Sequence, residues 1–214
     1  MKITLLLLFS FVVIGTCSAQ ITKGTSFVGG SGSYSKGTSK YNQGPDIVYK
    51  SSGSNFNFNP KAGYFISDNI ALGLAINYFG SRSKSKNTPG NESYVNKQQS
   101  FGINPFGRYY KMLGERAAFF GQLTASYTKG QIKTDDFIYQ KYSFVGAGVA
   151  PGFVFFATPK IGIETTVGNL GFYHSDNKNF SQDPNNSNEN TSNQFVANIE
   201  ASNIFLGINF YLGR

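Results

Sequence analysis

Four charged residues stand apart from the others: Lys61, Arg108, Glu164 and Glu200. Each interrupts a run in which apolar residues alternate with small or polar ones, and each falls on the small-or-polar parity. Their signs cancel. Held together in a narrow interior, they form a neutral salt-bridge network that fills space; in a wider one they could gate a pore or bind a small ion. The network is the expectation. The lone histidine, His174, precedes Ser175 and Asp176, which raises a serine-hydrolase reading directed at lipid. Neighbouring residues on a strand point to opposite faces, so His174 and Ser175 are not disposed to bond each other, and no catalytic residues are assigned.

Other chemistry is thinner. One His and scattered acids make no transition-metal set, and Asp135-Asp136 and the acids from Asp176 to Glu189 lack the spacing of a calcium loop, so no metal site is expected. The glycines fall within strand-like runs rather than in phosphate-cradling turns, and no cofactor is expected. Lys36, Lys40, Arg82, Lys84 and Lys86 cluster where strands give way to polar segments, a placement suited to contact with lipopolysaccharide phosphates; solvated loop charge is the alternative reading.

The elements that position these residues read as strands. Period-two runs bounded by Gly, Pro, Asn, Asp and Ser cover 23–36, 53–66, 70–82, 98–111, 117–129, 141–157, 160–174 and 194–212. The linking segments alternate in kind. Ser67-Asp68-Asn69, Met112 to Arg116 and Thr158-Pro159 are short, whereas 37–52, 83–97, 130–140 and 175–193 are long and polar and are expected to be loops. Leu72, Leu74 and Ile76 oppose Gly73, Ala75 and Asn77, and Phe101, Ile103 and Pro105 oppose Gly102, Asn104 and Arg108. Such a sheet either turns its apolar face to lipid or wraps it round the cavity of a soluble barrel of the lipocalin or avidin kind.

Lipid is favoured on three grounds. The second face lacks the Lys and Glu that keep exposed sheets soluble. Aromatic residues gather at both strand ends, with Tyr64-Phe65, Tyr109-Tyr110, Phe155-Phe156 and Phe210-Tyr211 near the short turns and Tyr78-Phe79, Tyr127 and Phe172-Tyr173 near the long segments, as two girdles would. The runs also exceed the usual strand length of globular proteins.

The amino-terminal stretch sets the compartment. Lys2 is followed by an apolar run from Ile3 to Gly15 and by Cys17-Ser18-Ala19, so residues 1–19 are expected to be a signal peptide cleaved after Ala19, leaving 20–214 as one barrel domain. Cys17, the single cysteine, leaves with it, unless Ile14 to Cys17 serves as a lipobox. The composition holds 21 Phe, 13 Tyr, 25 Gly and no Trp, with 14% charged residues, a profile of strands rather than amphipathic helices. A net charge of +8 invites nucleic acid as a partner, but an exported chain rarely meets it, and none is expected.

Asn59-Pro60-Lys61-Ala62-Gly63-Tyr64-Phe65, Asn104-Pro105-Phe106-Gly107-Arg108-Tyr109-Tyr110 and Ala150-Pro151-Gly152-Phe153-Val154-Phe155-Phe156 share one outline at nearly equal spacing. The repeating unit is therefore a two-stranded hairpin with a proline at one depth. Proline cannot donate to a ladder, so each repeat should carry a bulge or a missing bond. The last run has Ser202 at the corresponding place, and its parity slips there, which predicts a bulge near Ser202-Asn203.

With its stretch Asn59 to Leu74, its leader ending Ser18-Ala19-Gln20 and its close Phe205-Leu206-Gly207-Ile208-Asn209-Phe210-Tyr211-Leu212, the chain resembles the outer-membrane β-barrel domain family of Bacteroidetes, akin to barrels of the OmpX and OmpA membrane-domain type. The resemblance implies an outer-membrane location, barrel-assembly machinery as a partner during biogenesis, and contact with outer-membrane lipid and lipopolysaccharide. It implies architecture rather than activity.

The expected fold is thus all-β: an eight-stranded antiparallel up-and-down transmembrane β-barrel with a packed, polar interior, monomeric, with both termini in the periplasm. The expected role is non-enzymatic, structural or surface-interacting through the long segments. A narrow pore for ions or small solutes is the alternative, and a lipid-modifying enzyme a more remote one.

Overall fold

The computed structural model describes residues 21–43, 47–88, 93–181, 187–198 and 205–213. The leader, Glu200 and the bulge expected near Ser202-Asn203 lie outside the described residues. Strands form at β1 (Ser26–Gln43), β2 (Ile47–Ser67), β3 (Ile70–Thr88), β4 (Ser93–Met112), β5 (Ala117–Thr134), β6 (Phe137–Thr158), β7 (Ile161–Thr166), β8 (Asn169–Asn179), β9 (Asn188–Asn198) and β10 (Phe205–Leu212).

From β1 to β6 each strand pairs antiparallel with the next. β7 and β8 both lie along β6 and form one stave, interrupted at Val167-Gly168, where Gly168 has a φ of 74°. β10 pairs with β7 and β9 with β8, so these two also follow one another along a single stave. Pairing of β10 with β1 closes an eight-stranded antiparallel barrel. Rows of paired residues do not close on themselves. Gly32 leads through Phe58, Tyr78 and Phe101 to Lys129, whereas Gly30 leads the other way through Ile208, Ile163 and Phe155 to Ala117. That stagger tilts the strands and sets the width of the barrel.

The apolar parity faces outward. Leu72, Leu74, Ile103 and Leu123 are 51%, 46%, 42% and 59% exposed, and Phe58, Val149, Phe172, Ile208 and Phe210 join them round the wall. A continuous belt of this kind is untenable in water and matched to hydrocarbon. The opposite parity faces the lumen with Ser31, Ser33, Asn57, Asn59, Asn77, Asn104, Thr124 and Ser126, a neutral polar lining.

Each hairpin proline sits where a ladder lapses. Pairing of β2 with β3 skips from Phe58 to Lys61 across Pro60, and pairing of β4 with β5 skips from Ile103 to Phe106 across Pro105. At Pro151 the neighbour of β6 changes from β8 to β7. All three rings lie on the outward parity, and each missing donor lies in the plane of the sheet, facing a neighbouring stave.

Three sequence expectations need correction. The segments 37–52, 83–97, 130–140 and 175–193 are mostly strand rather than loop, since β1 to β6, β8 and β9 run on into them. Each extension has a partner stave to take its backbone hydrogen bonds, so a polar composition does not end the ladder. Only one member of each girdle pair near the short turns faces outward. Tyr64, Tyr109, Phe155 and Phe210 do, whereas Phe65, Tyr110, Phe156 and Tyr211 are buried inside. Finally, the interior is not polar throughout, because those inward rings fill the end that carries the short turns and both described termini.

Candidate functional site

The lumen is closed at the turn end from the residues upward. Phe27, Phe65, Phe106, Tyr110, Phe120, Val154, Phe156 and Tyr211 are each no more than 5% exposed. Their rings meet in series: Phe156 lies 5.2 Å from Tyr211, Tyr211 5.5 Å from Phe27, Phe27 6.1 Å from Phe65, Phe65 5.3 Å from Tyr110 and Tyr110 5.6 Å from Phe120. The leading segment seals this floor from outside. Ile21 is fully buried and donates its N–H to Asn69 Oδ1 at 3.1 Å, and Lys23 N–H donates to Asp68 Oδ1 at 2.9 Å.

On the floor stands a charged cluster. Arg108 comes from β4, Lys61 from β2 and Glu164 from β7, all on the inward parity. The guanidinium donates to Glu164 through Nη1 to Oε2 at 2.6 Å and through Nη2 to Oε1 at 3.0 Å, a bidentate pair. Lys61 Nζ donates to Oε1 of the same carboxylate and Asn209 Nδ2 to Oε2. Arg108 also donates from Nε to Gln122 Oε1 at 2.5 Å and from Nη1 to the Tyr110 hydroxyl at 3.1 Å. Below, its guanidinium carbon lies 4.3 Å from the Phe120 centroid and 5.2 Å from that of Phe106, so the cation rests on aromatic faces. Arg108 and Glu164 are 3% and 4% exposed. A recess of about 180 Å³ opens above them, bounded by Ser31, Asn59, Thr165 and Thr166 among others.

The structure therefore brings together Lys61, Arg108 and Glu164, while Glu200 lies outside the described residues. Sequence reasoning missed the aromatic seat of Arg108 and the supporting Gln122, Tyr110 and Asn209. The signal was present, because Phe106, Arg108 and Tyr110 share one parity, but an arginine between two rings resembles a girdle as much as a floor.

His174 faces outward, with Nε2 3.3 Å from Asp176 Oδ1 and Nδ1 2.8 Å from Asn193 Oδ1. The Thr191 hydroxyl donates to Asp176 at 2.9 Å rather than to the ring, and Ser175 lies on the lumen parity. Both ring nitrogens are thus engaged, and the arrangement prepares no hydroxyl for attack. Among the described residues no three His, Cys, Asp or Glu side chains gather.

Lys36, Lys40, Arg82, Lys84 and Lys86 are all exposed and share the outward parity of Leu72 and Ile76, beyond the apolar belt on the strand extensions. Registration adds neighbours that sequence reasoning left out. Lys50 is directly opposite both Lys40 and Lys86, and Lys97 is directly opposite both Arg82 and Lys133. Their alternation with serine at Arg82-Ser83-Lys84-Ser85-Lys86 was the available signal, since period two persists there. Among the described residues Asp136 is the carboxylate that forms a salt bridge with this face, 2.9 Å from Lys97 Nζ.

Comparison with known proteins agrees with the architecture. The outer membrane protein OprG from Pseudomonas aeruginosa superposes with a TM-score of 0.52 at 12% identity, over 90% of this chain and 98% of that one. Neisserial surface protein A aligns at a TM-score of 0.45 and 13% identity over 88% and 99%. No curated protein matches. The first of these likenesses shows the fold of an outer-membrane barrel and nothing about activity. A family profile described as protein of unknown function, DUF3575, matches residues 54–206, which is most of the chain, and the protein therefore belongs to that family.

Proposed function

We propose that the protein is a non-enzymatic, monomeric outer-membrane barrel that does not conduct, serving a structural and surface-interacting role with its turn end and both termini in the periplasm and its long hairpins outside. The observation that carries this reading is the floor: among the described residues a layer of buried aromatic rings, surmounted by the Arg108–Glu164–Lys61 cluster, fills the lumen at the turn end. The polar, uncharged lumen above it is a cup rather than a tube. Strands of 18 to 22 residues are about twice as long as the roughly ten that a bilayer requires, which supports hairpins that rise beyond the hydrocarbon.

Kinship with Bacteroidetes barrels of the OmpX and OmpA type, and delivery by barrel-assembly machinery after loss of residues 1–19, belong to the same proposal, supported by the Asn59 to Leu74 stretch and the apolar leader. The outward cations Lys36, Lys40, Arg82, Lys84 and Lys86 support contact with lipopolysaccharide, because they are exposed on the outward parity beyond the apolar belt. The test is conductance in planar bilayers. The refolded mature chain should give no discrete steps above background; stable single-channel steps would overturn the closed-lumen reading in favour of a narrow pore.

A further inference from the structure

Away from β1 and β2, the wall carries a groove of about 700 Å³. Two neighbouring series of paired residues line it. One leads from Tyr78 through Phe101, Lys129 and Ser143 to Asp176 and Thr191. The other leads from Gln99 through Gln131, Lys141 and Lys178 to Glu189. Both series share the outward parity of Leu74 and Ile103, so the groove is cut into the outer wall and not into the lumen.

Its charges are unevenly answered. Asp176 accepts from the Thr191 hydroxyl and lies 3.3 Å from His174 Nε2, and Glu189 is paired with Lys178. Among the described residues no salt bridge answers Lys129 or Lys141. Lys129 is directly opposite Ser143, and Lys141 is two residues away from Ser143 on the same face. The two lysines are therefore diagonal neighbours with Cβ atoms about 7–8 Å apart. Two ammonium groups on stems of that length reach a common point, where they repel each other unless an anion lies between them. Gln131, directly opposite Lys141, and Ser143, directly opposite Lys129, bring an amide and a hydroxyl to the same place.

One end of the groove is apolar. Phe101, the direct neighbour of Lys129, is 49% exposed and Tyr78 is 39% exposed. Two residues further along the same strands and the same face are Ile103 and Ile76 of the apolar belt. The groove thus joins a surface for acyl chains, a pair of unanswered cations, and a set of amides and hydroxyls. A lone phosphate would occupy a small part of it, since a space of about 700 Å³ suits a whole small-molecule ligand. A simple phospholipid would use the cations and the apolar end but leave the amides and hydroxyls without partners.

We infer that this groove is a seat for the phosphorylated sugar headgroup of a glycolipid of the lipid A kind. The phosphate lies between Lys129 and Lys141, the sugar hydroxyls meet Gln99, Gln131 and Ser143, and the acyl chains pass over Phe101 and Tyr78 onto the belt. Phosphate oxygens there turn the repulsion of the two lysines into charge-assisted hydrogen bonds. The seat rests on the outer-membrane, lipopolysaccharide-contacting reading above, but it uses none of the cations Lys36, Lys40, Arg82, Lys84 and Lys86, which stand on β1 and β3.

The experiment measures binding to the refolded mature chain in neutral detergent. The probes are monophosphorylated lipid A, lipid A stripped of phosphate, and phosphatidic acid, with glucose 6-phosphate as a soluble competitor. Monophosphorylated lipid A should bind about tenfold more tightly than the stripped form, and about tenfold more tightly than phosphatidic acid, which has the phosphate without the sugar. Combined Lys129→Gln and Lys141→Gln should weaken monophosphorylated lipid A by about tenfold or more, to the level of the stripped form. Combined Lys129→Arg and Lys141→Arg should retain most of the binding. Heat-modifiable gel mobility of each variant establishes that the barrel has formed.

Equal binding of the phosphorylated and stripped forms, or a glutamine variant that binds like the wild type, overturns the seat. Phosphatidic acid bound as tightly as monophosphorylated lipid A overturns the sugar assignment, and glucose 6-phosphate competing as well as the lipid overturns the lipid one. Combined Arg82→Gln, Lys84→Gln and Lys86→Gln reports on the face already proposed. Weakening there, with none in the groove variant, would sink the seat and keep the earlier contact, whereas a wild-type chain that binds no lipid A would refute that contact itself.

Discussion

Gly63 lies directly opposite Phe27 on the adjoining strand, and the Phe27 ring occupies the space where a side chain at Gly63 would begin. The same relation recurs inside the barrel between Gly73 and Phe106 and between Gly152 and Phe120. In each pair an inward aromatic ring lies over the backbone of a paired glycine. The floor is assembled by this device: rings from β1, β4 and β5 fit a narrow lumen because the strand beside each presents no side chain.

Substituting these glycines should therefore destabilise the barrel. Gly63→Ala and Gly152→Ala each force a floor ring to move, and overpacking of this type costs about 1–3 kcal/mol. Gly121→Ala is the internal control, since a methyl group there meets nothing within 4 Å and should leave stability within about 0.5 kcal/mol. Urea unfolding in phospholipid vesicles, read by tyrosine fluorescence, compares the three.

Glu164 is the one described carboxylate that answers both Lys61 and Arg108. Glu164→Gln would leave two cations buried on an aromatic floor, and removal of one partner from a buried pair typically costs about 3–5 kcal/mol. Replacing all three residues by methionine should cost less than the single change, because no charge then remains unanswered. The comparison is of unfolding midpoints. A single variant as stable as the triple one would mean that water or another group neutralises the cations.

Much of the barrel is legible in the sequence, for a physical reason. The parity of Leu72, Leu74 and Ile76 against Gly73 and Ala75 follows from the two-residue repeat of a strand, and hydrocarbon enforces it on every stave. The repeated prolines likewise announce lapses in the ladder. Loop boundaries were not legible, because Arg82 to Lys86 lie outside hydrocarbon and composition there no longer reports pairing. The break at Val167-Gly168 was also hidden within an otherwise continuous alternation. Nor could a sequence distinguish Tyr109 from Tyr110 as girdle and floor without a register to place each against Gly121 and Phe120. The meeting of Lys61, Arg108 and Glu164 depends on the stagger between distant staves, which no local pattern encodes.

Asp136 sits at a hairpin tip, where the hydrogen bond and charge of Lys97, and then the charges of Lys133 and Arg82, hold its carboxyl below the ordinary aspartate range. A depressed carboxylate adds its stabilisation above the unfolded pKa and loses it as pH falls through the folded value. The tip contact with Lys97 should thus persist at neutral pH and through mild acid, and disappear only below the usual aspartate range. NMR titration of the labelled carboxyl should show the depressed value, and Lys97→Gln should move it upward. An unchanged titration in that variant would remove Lys97 as the cause.

The identity of the solvent around the belt can be tested one residue at a time. Leu74 faces outward in the middle of the apolar band, and Gln99 faces outward between Phe101 and Lys97, at its upper margin. An arginine facing hydrocarbon at mid-depth costs about 2–4 kcal/mol, whereas near the interface it costs roughly 0–1 kcal/mol. Leu74→Arg should lower stability in vesicles accordingly, and Gln99→Arg should be nearly neutral although both sites are surface positions of the same sheet. In a water-soluble barrel the two changes would be equally mild, because an exposed arginine is well hydrated at either height. The difference between them, measured by urea unfolding in vesicles, therefore reads the depth of the bilayer directly from the side chains that meet it.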